Sequence, residues 1–408
     1  MAETRTTSGG QGSWHLLDAR DVAVREFGAA LGRIVPTICW QPDFSWFQSI
    51  RVRAYPELVA DPPLRLLRFQ LQRGYTRPLV GWLSRFVGRT LGALRDVSAR
   101  SPLICTTPFY APVAQRWQGP VIYYLTDLAA EYPNLRSDQV VSLDRELCRV
   151  ATLVCPSSRR LADYLTKRAG CDPKKVTILP NATRRSSLRE MSRYAPEEPP
   201  DDLQDLRRPL IGVIGNMAGN LDWELIYKAI LLTPAMSWVF VGPVSMKIAS
   251  RTQRDARERV LGLQGRVRFV GQKPYGVLHR YARAFDAAVL PYRKVEPTFS
   301  GSSVRFYEHL AACRPMLATR GVEELTRKEP MLRLIHGPEH LTEELMTLEQ
   351  NGFHDGLEQD RWLASRSETW DCRAQDLVRA FEASGGSRAA DAVLSQAAKA
   401  AAARGQFE

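Results

Sequence analysis

The sequence predicts an α/β protein built from two doubly wound domains in tandem. Three observations carry that expectation. Short apolar, β-rich runs alternate with stretches of helical periodicity. The alternation stops once, in a polar and Pro-containing segment, and then restarts. The chain has 408 residues, 44% of them apolar, which suffices for two separate cores. Strands alternating with helices imply parallel sheets covered on both faces.

Residues 1–12 are polar and Gly-rich and read as a disordered start. The first domain is expected over 13–185. Its strand-like runs lie at 34–39, 103–105, 121–125, 153–155 and 176–179, and its helical stretches include 137–150 and 159–168. Ser157 and Ser158 are placed to cap the second of these helices. Residues 186–208 combine charge, proline and few apolar anchors, as a linker does. The second domain is expected over 209–365, with strands at 210–214, 238–241, 267–270, 287–290 and 316–318 and helices at 223–232, 278–285 and 304–312. A helical pattern follows within 366–384, and the Gly/Ser- then Ala-rich tail 385–408 has no assigned function.

The formal net charge is +12. Residues 1–100 hold fourteen arginines against eight acidic residues, and 64–100 hold eight arginines against Asp96 alone. Such a patch suits a polyanion, either nucleic acid or an anionic membrane surface. No run approaches the ~18–20 apolar residues that span a bilayer, and no secretory signal is visible. The seven cysteines show no metal-ligand spacing and read as reduced core thiols in a reducing compartment. Asn181-Ala182-Thr183 reads as an accidental glycosylation sequon.

In open parallel sheets, ligands bind outside the carboxyl ends of the strands. Three segments just after predicted strands therefore stand out. The first, at Gly212–Gly219, includes Gly215 and lacks the spacing of a dinucleotide or P-loop fingerprint. It is a Gly-rich turn, either a plain connection or an approach for phosphate. The second runs from Tyr292 through Ser302 and Ser303 to Arg305 and Glu308. A helix starting at Ser303 offers unpaired amides to an anion, and Arg305 adds a bidentate donor. Arg305 and Glu308 are alternatively a surface ion pair one turn apart. The third is Asp127, after the run VIYYL, as a general base or a helix cap. His309 falls in an apolar helical stretch and reads as packed.

These segments resemble GT-B glycosyltransferases, in particular family-4-like enzymes of bacterial cell-surface polysaccharide synthesis. The resemblance rests on IGVIGNMAGNLDWELI, SWVFVGP, VRFVGQKPYGVLHRYARAFDAAVLPY, SSVRFYEHLAACRPMLAT, VIYYLTDLAAEYP, VATLVCPSSRRLADYL, ILPNAT and SETWDCRAQDL, and covers about 100–383. It implies two Rossmann-like domains facing across a cleft, with a nucleotide-sugar on the second and the acceptor on the first. It implies further that Gly215, Ser302, Ser303 and Arg305 meet the diphosphate, with Tyr292 and Gln272 also on the donor. Glu308 matches the second Glu of the E-x7-E motif, which holds the ribose. The first would fall at Ser300. The sequence is also similar to the xanthan glucuronosyltransferase, an inverting enzyme whose Asp base lies in a segment like the one around Asp127.

The resulting expectation is a metal-independent glycosyltransferase of the hexosyl- or uronosyl- class without a cofactor. Its acceptor would be a glycan or a lipid-diphosphate-linked glycan. The alternative is a catalytically silent GT-B-like binding or assembly protein. Residues 76–95 have the spacing of an amphipathic helix, with Arg77, Arg85 and Arg89 mainly off the apolar stripe. They suit either membrane and acceptor contact or a packed domain helix. The charge is read as membrane- and phosphate-facing, not as nucleic-acid binding. The expected location is cytoplasmic, peripheral on the inner face of the plasma membrane.

Overall fold

A computed structural model describes residues 13–45, 53–57, 64–72, 101–190, 196–245, 248–263 and 265–385. Two compact units divide the chain, one of residues 1–179 with 374–408 and one of 180–373.

The first unit carries a seven-stranded sheet. Its strands are β1 (Trp14–Leu17), β2 (Thr37–Ser45), β3 (Arg53–Glu57), β4 (Leu64–Gln72), β5 (Leu103–Cys105), β6 (Val121–Leu125) and β7 (Leu153–Pro156), in the order β3-β4-β2-β1-β5-β6-β7. All pairs are parallel except β3 with β4. The helices are α1 (Val22–Gly32), α2 (Ala111–Ala114), α3 (Ser137–Val150) and α4 (Arg159–Lys167). Asp21 caps α1 and Ser158 caps α4 through their side-chain oxygens. Every residue of β5 and β6 is buried, as a sheet covered on both faces requires. Cys39, Cys105 and Cys155 lie in this interior as free thiols, as the sequence suggested.

The second unit carries β8 (Leu210–Ile214), β9 (Ser237–Val241), β10 (Val267–Gly271), β11 (Ala287–Leu290), β12 (Met316–Ala318) and β13 (Arg333–Leu334), all parallel, in the order β10-β9-β8-β11-β12-β13. Read from β8, this is the 3-2-1-4-5-6 order of the doubly wound fold, with its switch point between β8 and β11. The helices are α5 (Trp223–Leu232), α6 (Arg251–Leu261), α7 (Leu278–Ala284), α8 (Val304–Ala312), α9 (Pro338–Gln350), α10 (Glu358–Ser367) and α11 (Trp370–Ala383). α5 packs against α6 and α9, while α8 packs against α7 and α10. Trp223, Trp238 and Phe240 lie in the core, where Phe240 stacks on Phe269 at 4.6 Å. From Ala374 onward α11 belongs to the first unit, where Phe381 meets Trp14 edge-on at 4.9 Å.

Several expectations change. Residues 176–179 form no strand: Val176 makes one isolated bridge to Val154, and the stretch ends at Pro180, which has no N–H to extend a ladder. The first unit ends at Leu179 rather than 185. The expected linker 186–208 is anchored within the second unit, because Leu203 and Leu206 join a core cluster with Phe285. Arg189 is buried there and donates to the Ala312 carbonyl at 3.1 Å. The Arg-rich stretch opens as strand β4, while Arg77, Arg85, Arg89 and the expected helix 76–95 lie outside the described residues.

Candidate functional site

In the second unit, parallel register brings the carboxyl ends of β8 and β11 to the switch point, where a crevice is expected. Gly215 follows β8 and donates its N–H to the Val241 carbonyl at 2.8 Å. Its φ is +115°, and a Cβ there would stand 2.2 Å from Arg305 Nε. The glycine thus lets the guanidinium lie against the backbone. Gly242 does the same one strand over, since a Cβ on it would meet the Gly215 carbonyl oxygen at 1.9 Å.

Arg305, in the first turn of α8, donates to the Asn216 carbonyl at 2.8 Å. Its guanidinium lies 4.9 Å from the centroid of the Tyr292 ring. Tyr292 is buried, and its hydroxyl pairs with Ser303 Oγ at 2.9 Å. Gly215, Tyr292, Ser303 and Arg305 are therefore one cluster, although up to 90 positions separate them. Gln272 is exposed in the loop after β10.

Ser303 plays a narrower part than a diphosphate ligand would. Its hydroxyl caps α8 by accepting the Phe306 amide at 3.3 Å, and its own amide donates to Glu324 at 3.1 Å. A protein carboxylate thus already sits at this helix start, where the dipole favours it. Helix geometry leaves Val304 and Arg305 as the amides without an intrahelical acceptor. Ser302 is held by Asn181, whose N–H donates to Ser302 Oγ at 3.1 Å and whose Nδ2 donates to its carbonyl at 2.8 Å. The sequon asparagine is consequently buried.

Glu308 forms no ion pair with Arg305. It is buried, and one carboxylate oxygen accepts from Thr183 Oγ1 at 2.9 Å and from the Tyr275 hydroxyl at 2.5 Å. Arg184 lies 4.8 Å over the Tyr275 ring. At Ser300 a carboxylate arrives from elsewhere: Glu296 accepts the Ser300 amide at 3.1 Å and its hydroxyl at 2.8 Å. His309 is fully buried, and burial, aided by the Arg305 charge, pushes its pKa down to about 3.

In the first unit, Asp127 stands two residues beyond β6. One carboxylate oxygen accepts the Leu128 amide at 2.9 Å and the other accepts the Tyr132 hydroxyl. It caps no α-helix, and its two oxygens brace the turn that follows β6. The sequence missed Asp18, at the switch point between β1 and β5. Asp18 has φ +70°, is buried, and takes Arg20 in a two-pronged pair at 2.5 and 2.6 Å, with the Tyr110 hydroxyl at 3.3 Å. An aspartate can hold this left-handed conformation, and such strain concentrates at functional positions. The only sequence signal was the four-residue strand before it. Among the described residues, no group of three or more His, Cys, Asp or Glu could hold a metal. No helix among them is long and apolar enough to cross a membrane.

No family model matches the chain. It is 23% identical over 271 residues to TuaH of Bacillus subtilis, a protein assigned to teichuronic acid biosynthesis as a glycosyltransferase. That match spans 64% of this chain and 66% of TuaH, just under two thirds of the relative. HepE of Anabaena, solved with UDP and glucose, superposes with a TM-score of 0.66 at 14% identity, covering 91% of this chain and 100% of HepE. Sucrose-phosphate synthase of Thermosynechococcus elongatus gives 0.66 at 15%, covering 91% and 98%. The chain therefore has the GT-B glycosyltransferase fold, with a glycosyltransferase as its sequence relative.

Proposed function

We propose that the chain transfers a sugar from a nucleotide-diphosphate sugar to a glycan or lipid-linked acceptor in bacterial cell-surface polysaccharide synthesis. One observation carries the reading: Arg305, the amides opening α8 and the Gly215 backbone meet at the switch point of the second sheet. The likeness to TuaH and to HepE, which was solved with UDP and glucose, supports it. In this mechanism Asp127 takes the proton of the acceptor hydroxyl as its oxygen attacks the anomeric carbon. The bond from that carbon to the diphosphate breaks, and Arg305 with the α8 amides stabilises the charge left on the nucleotide. Protein groups perform that neutralisation, so the reaction is metal-independent. A cytoplasmic location fits a nucleotide-sugar donor.

Binding of UDP, GDP and dTDP and their sugars, followed by thermal shift, tests the donor half. Arg305→Ala is expected to weaken nucleotide binding about 10- to 100-fold, the loss of a charge-assisted contact. Asp127→Asn is expected to lower transfer by about 10²–10⁴ while leaving nucleotide affinity unchanged. Full transfer by Asp127→Asn would exclude it as the base, and the absence of stabilisation by every nucleotide would exclude the donor site.

A further inference from the structure

Besides the Arg305 cluster, the second unit contains a cavity of about 640 Å³ that the proposed transfer does not use. It lies at the carboxyl ends of β11, β12 and β13, beside the start of α5. Four cations from three segments line it: Lys228 on α5, Arg293 and Lys294 after β11, and Arg320 after β12. Two carboxylates also line it, and both are engaged. Asp222 caps α5 by accepting the Leu225 amide at 3.1 Å, and Glu224 accepts Gln253 Nε2 at 3.0 Å. Arg293 donates to the Gly219 carbonyl at 3.1 Å, and Lys294 lies 4.9 Å over the Phe299 ring. Lys228 and Arg320 are exposed and, among the described residues, pair with no carboxylate.

Hydrogen bonds from neutral donors leave Asp222 and Glu224 charged, so four cations against two carboxylates give the concavity a net positive lining, which favours an anion. The volume falls within the range of small-molecule sites, roughly 300–1,000 Å³. Leu225, Tyr292 and Ile335 give the cavity an apolar side suited to the face of a sugar ring. We propose that this cavity is a binding site for a phosphorylated sugar of monosaccharide size, with Lys228 and Arg320 on its phosphate. A phosphate presents several acceptor oxygens and satisfies an ammonium and a guanidinium together. Tyr292 lines the cavity and also carries Arg305 on its ring, so the two sites share one wall. The inference rests on the cavity alone and stands whether or not the chain transfers a sugar.

Titration calorimetry on the full chain at fixed ionic strength tests it, with glucose 6-phosphate, inorganic phosphate, glucuronate and glucose as probes. Glucose 6-phosphate is expected to bind at least tenfold more tightly than the other three. The double variant Lys228→Ala/Arg320→Ala is expected to lose that binding at least tenfold while keeping the wild-type melting temperature. Arg305→Ala is expected to retain it, and excess UDP is expected not to displace the ligand. Equal binding by the double variant overturns the proposal, as does equal affinity for glucuronate. Displacement by UDP also overturns it, by placing the phosphate at the Arg305 cluster.

Discussion

Gly215→Ala separates two jobs of one backbone position, and its consequence can be worked from the geometry. The added Cβ would stand 2.2 Å from Arg305 Nε and 2.7 Å from Cζ and Nη2. A guanidinium is the end of a flexible chain, so it moves aside and gives up its 2.8 Å bond to the Asn216 carbonyl. The backbone cannot escape as easily, because φ is +115°. Holding a residue with a Cβ there costs about 1–3 kcal/mol. For a unit of this size each kcal/mol is worth roughly 2–4 °C, so the melting temperature should fall by about 2–12 °C. Displacing Arg305 should also weaken nucleotide binding by about tenfold or more. Thermal melts with and without UDP read both effects. On an Arg305→Ala background, Gly215→Ala should keep its backbone cost and lose its binding cost, a non-additivity that a double-mutant cycle measures. Unchanged melting and unchanged UDP affinity in Gly215→Ala would refute the reasoning. Gly242→Ala, whose Cβ meets a backbone oxygen at 1.9 Å, should be more damaging, because no side chain can yield.

Two further predictions concern buried charge. Asp144 lies between the hydroxyls of Tyr123 and Tyr164, and burial pushes its carboxyl up to about 6 against the lowering effect of those two donors. A folded-state pKa raised above the unfolded value gives stability that is full below about pH 4 and lost as pH rises to about 6. Relative to Asp144→Asn, the wild type should therefore lose about 3 kcal/mol between pH 4 and 7 in urea titrations. A flat difference would show that Asp144 does not titrate there. Arg314 is fully buried and donates to the carbonyls of Phe285, Asp286 and Phe353 at 3.1, 3.1 and 3.3 Å. A lysine has no planar fork to reach all three, so Arg314→Lys should cost about 2–4 kcal/mol with nucleotide affinity unchanged. An unaltered urea midpoint would contradict this.

Legibility followed the visibility of the buried face. Strands at 103–105, 121–125, 210–214, 287–290 and 316–318 coincide with the expected runs, as do helices 137–150, 223–232 and 304–312. Each has an apolar face dense enough to show. α6 was missed because its buried face includes Gln253 and Arg257 beside Ala256 and Val260, which hides the period in a polar sequence. β1 was missed because only four residues form it, one of them His15, whose Nδ1 accepts from Trp40 Nε1 at 3.3 Å. β4 was missed because its arginines read as a charged patch. At the site, Gly215, Tyr292, Arg305 and Glu308 were each visible as polar or glycine positions beyond a strand. Thr183, which donates to Glu308, was not, nor were Asn181, Glu296 and Glu324, which hold Ser302, Ser300 and Ser303.

The alternation of strands and helices, the split into two units and the positions after each strand follow from local pattern alone. That pattern reflects propensity and periodicity over a few neighbouring residues. Partnership across the fold was decided only by packing. Thr183 reaches Glu308 across 125 positions, Asn181 reaches Ser302 across 121, and Arg305 reaches Asn216 across 89. Parallel pairing sets all the carboxyl ends of a sheet on one edge, and strand order determines which loops become neighbours there. Neither quantity exists in a one-dimensional sequence, so only the tertiary structure could bring a tight glycine turn and a lone arginine into a single cluster.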